Sequence, residues 1–208
     1  MTLNGILEFG SRRLVNLGRL LIVLAVQALA LGWMIADRAS ILRDGAEIRL
    51  SVVPVDPRDF FRGDYVRLNY DISTVPVDAR SPAAEAGRGD TIYVVVKPGA
   101  DGSARIVTAA LERPSGVDGL VLRGRIAGKG FGQRGAQDPE VPCPNECEYK
   151  RVEYGIERFY VPEGKGKPIE DIRNDGRVAI LASVDSGGRV AIKQLLVDDE
   201  PVYSEPLF

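Results

Sequence analysis

From Leu20 to Ala36 the chain reads Leu-Leu-Ile-Val-Leu-Ala-Val-Gln-Ala-Leu-Ala-Leu-Gly-Trp-Met-Ile-Ala, without one charged side chain. With Leu17 and Gly18 just ahead of Arg19, the run approaches the roughly 20 apolar residues an α-helix needs to cross a bilayer. Arg19 is placed to snorkel to the headgroups, and Trp33 sits where an interfacial aromatic is expected. Arg12, Arg13 and Arg19 precede the run, whereas Arg38 and Arg43 follow it beside Asp37, Asp44 and Glu47. Basic residues decide orientation, so this balance predicts an N-terminus inside and an exported remainder. Two rival readings are a signal peptide cleaved near Ala28-Leu29-Ala30 and a buried helix of a soluble fold. The apolar run continues beyond the cleavage-like site, and its length disfavours a soluble core helix. The expected organisation is therefore a cytoplasmic N-terminus over 1–16, a transmembrane anchor over 17–38 contacting the lipid bilayer, and an exported domain over 46–208. Gln27 is the strongly polar side chain of the span. It is read either as an amide tolerated in lipid or, with Ala25, Ala28 and Gly32 nearby, as a hydrogen-bonding contact to a partner helix.

Beyond a polar connector at 37–45, where the helix has room to run on, the pattern turns to strands. Residues 46–53 alternate polar and apolar side chains, the mark of a half-buried strand. Further strands are predicted from Asp64 to about Ser73, over 91–97 and 104–112 as a hairpin across Asp101-Gly102, and over 119–127. Residues 148–161 read as extended with a turn at Gly155, and 177–184 with 189–197 as a last hairpin across Asp185-Ser186-Gly187-Gly188. Residues 201–208 offer an edge strand. Residues 74–90, with Pro76, Pro82, Gly87 and Gly89, read as a surface loop, and the glycines from 128 to 135 open another running to about Cys147. Pro168 to Asp175, followed by Gly176, carries the helix signal outside the membrane. The fold class expected is mainly β, eight or nine strands in one antiparallel sandwich or barrel-like domain with one short helix, behind a single membrane helix.

Composition then removes whole classes of chemistry. The chain holds no histidine, so a Ser-His-Asp hydrolase is excluded and the commonest zinc ligand is missing. A net charge of -2 lacks the basic footprint of a nucleic-acid binder. Cys143 and Cys147 are the two cysteines, and in an exported domain a structural disulfide is the expectation. A metal site there lacks further ligands, and the spacing is not that of a Cys-x-x-Cys redox pair; neither a metal nor a cofactor is expected. The arrangement of anchor and β domain loosely looks like a serine–lysine signal peptidase, with Lys97 as the base. Ser40 and Ser51 lack that enzyme's Ser-x-Met setting, the methionines being Met1 and Met34, so no nucleophile–base pair assembles.

The densest cluster of polar and aromatic groups is Asp56-Pro-Arg58-Asp-Phe60-Phe61-Arg62-Gly63-Asp64-Tyr65-Val-Arg-Leu68-Asn-Tyr70. It reads as a charged turn feeding a strand, with Val66, Leu68 and Tyr70 on one face. Residues 63–70 fit Gly-Asp-Tyr-x-x-Leu-x-Tyr letter for letter, and on that ground the chain resembles the bacterial GDYXXLXY protein family. The resemblance extends to Val121-Leu-Arg-Gly-Arg125 and to Tyr154-Gly-Ile-Glu157-Arg-Phe-Tyr160-Val-Pro-Glu163-Gly. That family has no established biochemical activity. Its members often lie beside genes for a multi-spanning membrane protein, so the resemblance implies a complex with such a partner and an address at the bacterial inner membrane, the C-terminal domain being periplasmic.

Two functional readings follow. In the first, the protein is a non-enzymatic accessory subunit, and Arg58, Phe60, Phe61 and Arg62 form a recognition surface of hot-spot composition. In the second, an envelope enzyme or small-ligand binder uses Asp64, Tyr65, Glu157 and Tyr160 in one pocket, with Glu163 nearby. Beside both stands a structural reading, in which Asp64 caps a turn, Tyr65 and Tyr70 pack with satisfied hydroxyls, and the arginines pair with neighbouring acids.

Overall fold

The computed structural model describes residues 3–53, 65–130, 146–160 and 177–204. The chain divides into two compact units, Met1–Ser40 and Ile41–Leu207. The first unit is helical. Helix α1 (Leu3–Asp44) runs unbroken for 42 residues, so the connector expected at 37–45 is helix as far as Asp44. Its stretch Gly18–Asp44 is long and apolar enough to cross a membrane, and none of its most apolar 18-residue window is buried inside the protein. Leu20, Leu24, Leu31, Trp33 and Ile35 all stand exposed.

The second unit is mostly β and antiparallel, with twelve strands among the described residues. They are β1 (Ala46–Val53), β2 (Tyr65–Arg67), β3 (Asn69–Tyr70), β4 (Thr74–Asp78), β5 (Thr91–Pro98) and β6 (Ala104–Ala110). After them come β7 (Leu120–Lys129), β8 (Cys147–Glu153), β9 (Arg158–Tyr160), β10 (Val178–Val184), β11 (Val190–Val197) and β12 (Glu200–Ser204). One five-stranded sheet runs β12-β11-β10-β1-β3 and a second runs β4-β8-β7-β5-β6, with β2 and β9 forming a separate ribbon. The edges β4 and β6 of the second sheet approach each other, so that sheet is nearly closed into a barrel. The inward residues of both sheets, among them Leu50, Ile180, Ile92, Val94, Leu122 and Ile126, share one core. Period-two alternation makes this possible, because every second residue of a strand meets the opposite sheet.

Polar contacts join the two sheets at one end. The Arg49 guanidinium donates to the Asp101 carbonyl at 3.1 Å and to the Ser103 hydroxyl at 3.2 Å, and it ion-pairs with Asp199. The Ser51 hydroxyl donates to that of Ser103 at 2.8 Å. At the start of the unit, Ile41 and Leu42 are buried against Ala191. The buried Ser183 hydroxyl donates to the Ile41 carbonyl at 2.6 Å.

Three sequence expectations need correction. Residues 74–90 are not simply loop: β4 and the short helix α2 (Pro82–Glu85) lie there. Pro76 does not prevent the strand because β4 is an edge strand, where a missing N–H costs no ladder bond. Pro82 follows Ser81 in the first helical turn, where its lack of an N–H is harmless. The motif strand is also not continuous. It breaks at Leu68, so β2 pairs with β9 and β3 pairs with β1. Finally β7 continues through Gly128, whose φ of +158° accompanies a bulge against β8. The helix signal at 168–175 falls outside the described residues.

Candidate functional site

The two dense stretches of the sequence meet. Tyr65 is in register with Tyr160, Val66 with Phe159 and Arg67 with Arg158. At the break between β2 and β3 the Leu68 amide donates to the Glu157 carbonyl at 2.9 Å. Leu68 is wholly buried and Tyr70 is 2% exposed, so both belong to the core. The Tyr70 hydroxyl reaches across to donate to the Ile156 carbonyl at 2.6 Å, and its amide donates to the Ser73 hydroxyl at 3.1 Å.

A second tyrosine returns the tie. Tyr154, also buried, donates its hydroxyl to the Ile72 carbonyl at 2.8 Å. Segments 70–72 and 154–157 are thus linked by two buried O–H···O=C bonds running in opposite directions. Between them Gly155 adopts φ +84°, a left-handed turn that glycine accepts without a Cβ clash. The Glu157 carboxylate closes that turn, accepting from the Tyr154 amide at 2.5 Å and the Gly155 amide at 3.0 Å. Burial, with the Glu157 charge nearby, pushes both tyrosine hydroxyls well above their ordinary value. They stay protonated and act as donors, not as bases. Phe159 is buried beside this clasp and meets Tyr203 edge-to-face at 5.1 Å and 83°.

The inward face of β7 explains another part of the pattern. A Cβ at Gly124 would lie 2.2 Å from Val152 Cγ1 and 3.2 Å from Tyr154 Cε1. The glycine therefore makes room for the clasp tyrosine, while Arg123 and Arg125 project outward on the exposed face.

The remaining sites predicted from sequence distribute as follows. Arg58, Phe60, Phe61, Arg62, Gly63, Asp64, Cys143 and Glu163 lie outside the described residues. Tyr65 and Tyr160 are brought together as backbone partners. Cys147 opens β8 and is disulfide-bonded. Gln27 faces outward on α1, and a Cβ at Gly32 would meet nothing within 4 Å. Lys97 ion-pairs with Asp118 at 2.7 Å, and Ser40 donates to the Asp37 carbonyl, so the lysine and serine weighed for a peptidase are engaged elsewhere. No group of three or more acidic or cysteine residues fit to hold a metal occurs among the described residues.

Two participants escaped the sequence reading. Tyr154 precedes Gly155 in the sequence, and a buried tyrosine next to a left-handed glycine signals a hydroxyl-anchored turn. Lys150 falls within the segment 148–161, which the sequence predicts only as extended. It is 5% exposed, and its amine donates to the Ala84 carbonyl and, at 3.1 Å, to the Ala86 carbonyl, capping the end of α2. Its position two residues from Val152 on an alternating strand is the signal that places it inward.

The model of a protein family described as GDYXXLXY protein matches residues 27–195, most of the chain. The chain belongs to the GDYXXLXY protein family. No curated protein and no solved structure matches this GDYXXLXY protein. In this member the last leucine and tyrosine of the eponymous motif are core residues, and the tyrosine is one half of the clasp.

Proposed function

We propose that this GDYXXLXY protein is a single-pass protein of the bacterial inner membrane, its N-terminus inside and its β domain periplasmic. There it serves as a non-enzymatic accessory subunit of a complex with a multi-spanning membrane protein. The observation that carries the non-enzymatic reading is the state of the clasp: the Tyr70, Tyr154 and Glu157 side chains are all committed to backbone partners. A general acid or base must present a free atom to its substrate, whereas the two tyrosine hydroxyls are buried and bonded and both Glu157 oxygens already accept backbone bonds. The exposed apolar surface of α1 supports the membrane address.

The test is recovery of a C-terminally tagged chain from native membranes in mild detergent, followed by identification of what accompanies it. A stoichiometric multi-spanning protein is expected, and a chain recovered alone refutes the accessory role. Phe60→Ala, Phe61→Ala and Arg62→Ala in one chain test the aromatic turn as the contact: unchanged recovery with normal folding removes it. For orientation, alkaline phosphatase fused to the C-terminus is expected to be active, since it folds only outside the cytoplasm. An inactive fusion at normal expression inverts the topology.

A further inference from the structure

The outward face of the second sheet carries two neighbouring arginines that no described residue ion-pairs with. Arg123 and Arg125 lie two residues apart on β7, with Gly124 between them facing the core. Tyr93 of β5 is the register partner of Arg123, and Thr91 that of Arg125, so all four side chains share this face. Some arginines are matched within the chain: Arg49 pairs with Asp199, Arg105 with Asp101, Arg177 with Asp198 and Arg189 with Asp185, whereas Arg80, Arg88, Arg113 and Arg151 stand exposed without an ion pair among the described residues. Among the described residues neither Arg123 nor Arg125 has an ion-pair partner, although both are exposed and the chain as a whole is acidic. Glu153, the register partner of Arg125 on β8, makes no ion pair with it.

These two arginines are held on a stiff element. The Arg123 amide donates to the Gly188 carbonyl at 2.7 Å, and Gly124 is wedged against Val152 and Tyr154. Successive outward residues on a strand stand about 7 Å apart, the same repeat as alternate side chains of another extended chain. Two acidic residues at i and i+2 of an extended segment therefore meet Arg123 and Arg125 together, each able to accept a bidentate arginine bond. Tyr93 adds a flat, half-buried surface beside them, a composition common at protein contacts.

We infer that the Tyr93–Arg123–Arg125 face is a docking surface for an extended acidic segment of a partner protein. This rests on the accessory-subunit reading above and gives it a contact. The probe is a fluorescein-labelled peptide of alternating Glu and Thr, titrated by anisotropy against the full chain in a neutral detergent. A Gln-Thr peptide is the control. The expected result is binding of the Glu peptide alone, lost as salt shortens the screening length. R123E/R125E is expected to weaken it by at least about tenfold, since the reversal turns attraction into like-charge repulsion. R80E, which reverses an exposed charge in the turn after β4, is expected to leave it unchanged. Both replaced side chains are exposed, and a circular dichroism spectrum matching the unaltered chain certifies the fold.

Equal binding by R123E/R125E, or no preference for the Glu peptide, overturns the inference. Capture by phosphatidylglycerol vesicles without peptide binding also overturns it, in favour of a lipid surface. The two readings fail separately in the membrane pull-down. A partner recovered equally by the unaltered chain and R123E/R125E removes this face and leaves the accessory role standing. Peptide binding that depends on the arginines, with no partner in membranes, does the reverse.

Discussion

Tyr70→Phe removes one oxygen from the centre of the domain and tests whether the motif is there for architecture. The hydroxyl donates to the Ile156 carbonyl at 2.6 Å from a site with 2% exposure, so water does not replace it. Leaving a buried carbonyl without its donor costs about 1–3 kcal/mol. For a domain of this size that lowers the melting midpoint by roughly 2–12 °C. Tyr154→Phe removes the reciprocal bond to Ile72 and should cost a similar amount. Because both bonds tie the same two segments, the double variant should depart from additivity by about 0.5 kcal/mol or more. The assay is thermal unfolding followed by near-ultraviolet circular dichroism in mild detergent, where the β-domain aromatics report. A Tyr70→Phe chain melting within about 1 °C of the unaltered protein refutes the argument, because an unmade buried bond cannot be that cheap. A tyrosine kept for a ligand gives the opposite pattern, with intact stability and altered partner recovery.

Gly124→Ala should destabilise the domain by about 1–3 kcal/mol, since overpacking forces neighbouring side chains off their rotamers. Its Cβ would sit 2.2 Å from Val152 Cγ1, and Val152→Ala in the same chain should recover part of the loss in a urea titration. Lys150→Met keeps the apolar stem but leaves the Ala84 and Ala86 carbonyls without their donor, so amide exchange over residues 82–90 should accelerate; unchanged exchange rejects the capping role. Asp101, Asp118, Asp185 and Asp198 sit below the usual carboxylate range. A Ser103 amide bond and the nearby Arg105 hold Asp101 down, Lys97 holds Asp118, and Arg177 holds Asp198. For Asp185 partial burial pushes upward, and the bonds from Arg189 outweigh it. A depressed folded pKa means the unfolded chain binds protons first, so this stabilisation is present above about pH 4 and is lost as pH falls through the folded values. Melting midpoints should therefore hold between about pH 5 and 7 and decline below about pH 4, with a shallower decline in Asp185→Asn. A flat profile down to pH 2 contradicts the ion pairs.

Local pattern determined a good deal of this protein. The uncharged run from Leu20 to Ala36 left a membrane-length helix as the simplest outcome. The alternation at 46–53 returned a strand with those bounds, and the hairpin across 185–188 formed β10 and β11 around a positive-φ Gly188. Such elements are legible because periodicity and turn chemistry act over a few neighbouring residues. Buried Leu68 and Tyr70 were legible for the same reason: alternation from Asp64 puts them on one face.

Contacts between distant segments were decided only by the tertiary structure. Residue spacing says nothing of Tyr70 reaching Ile156, or of Tyr154 reaching Ile72, more than eighty positions away. The motif strand changes sheets at Leu68 because its amide finds the Glu157 carbonyl, a partner that exists only after the chain has folded back. Pro76 could be accepted in a strand only once β4 was known to lie at an edge, and Gly124 explained only once Tyr154 was seen against it. A sequence carries each residue's own preferences, whereas burial, register and hydrogen-bond partners belong to pairs of residues that folding alone brings together.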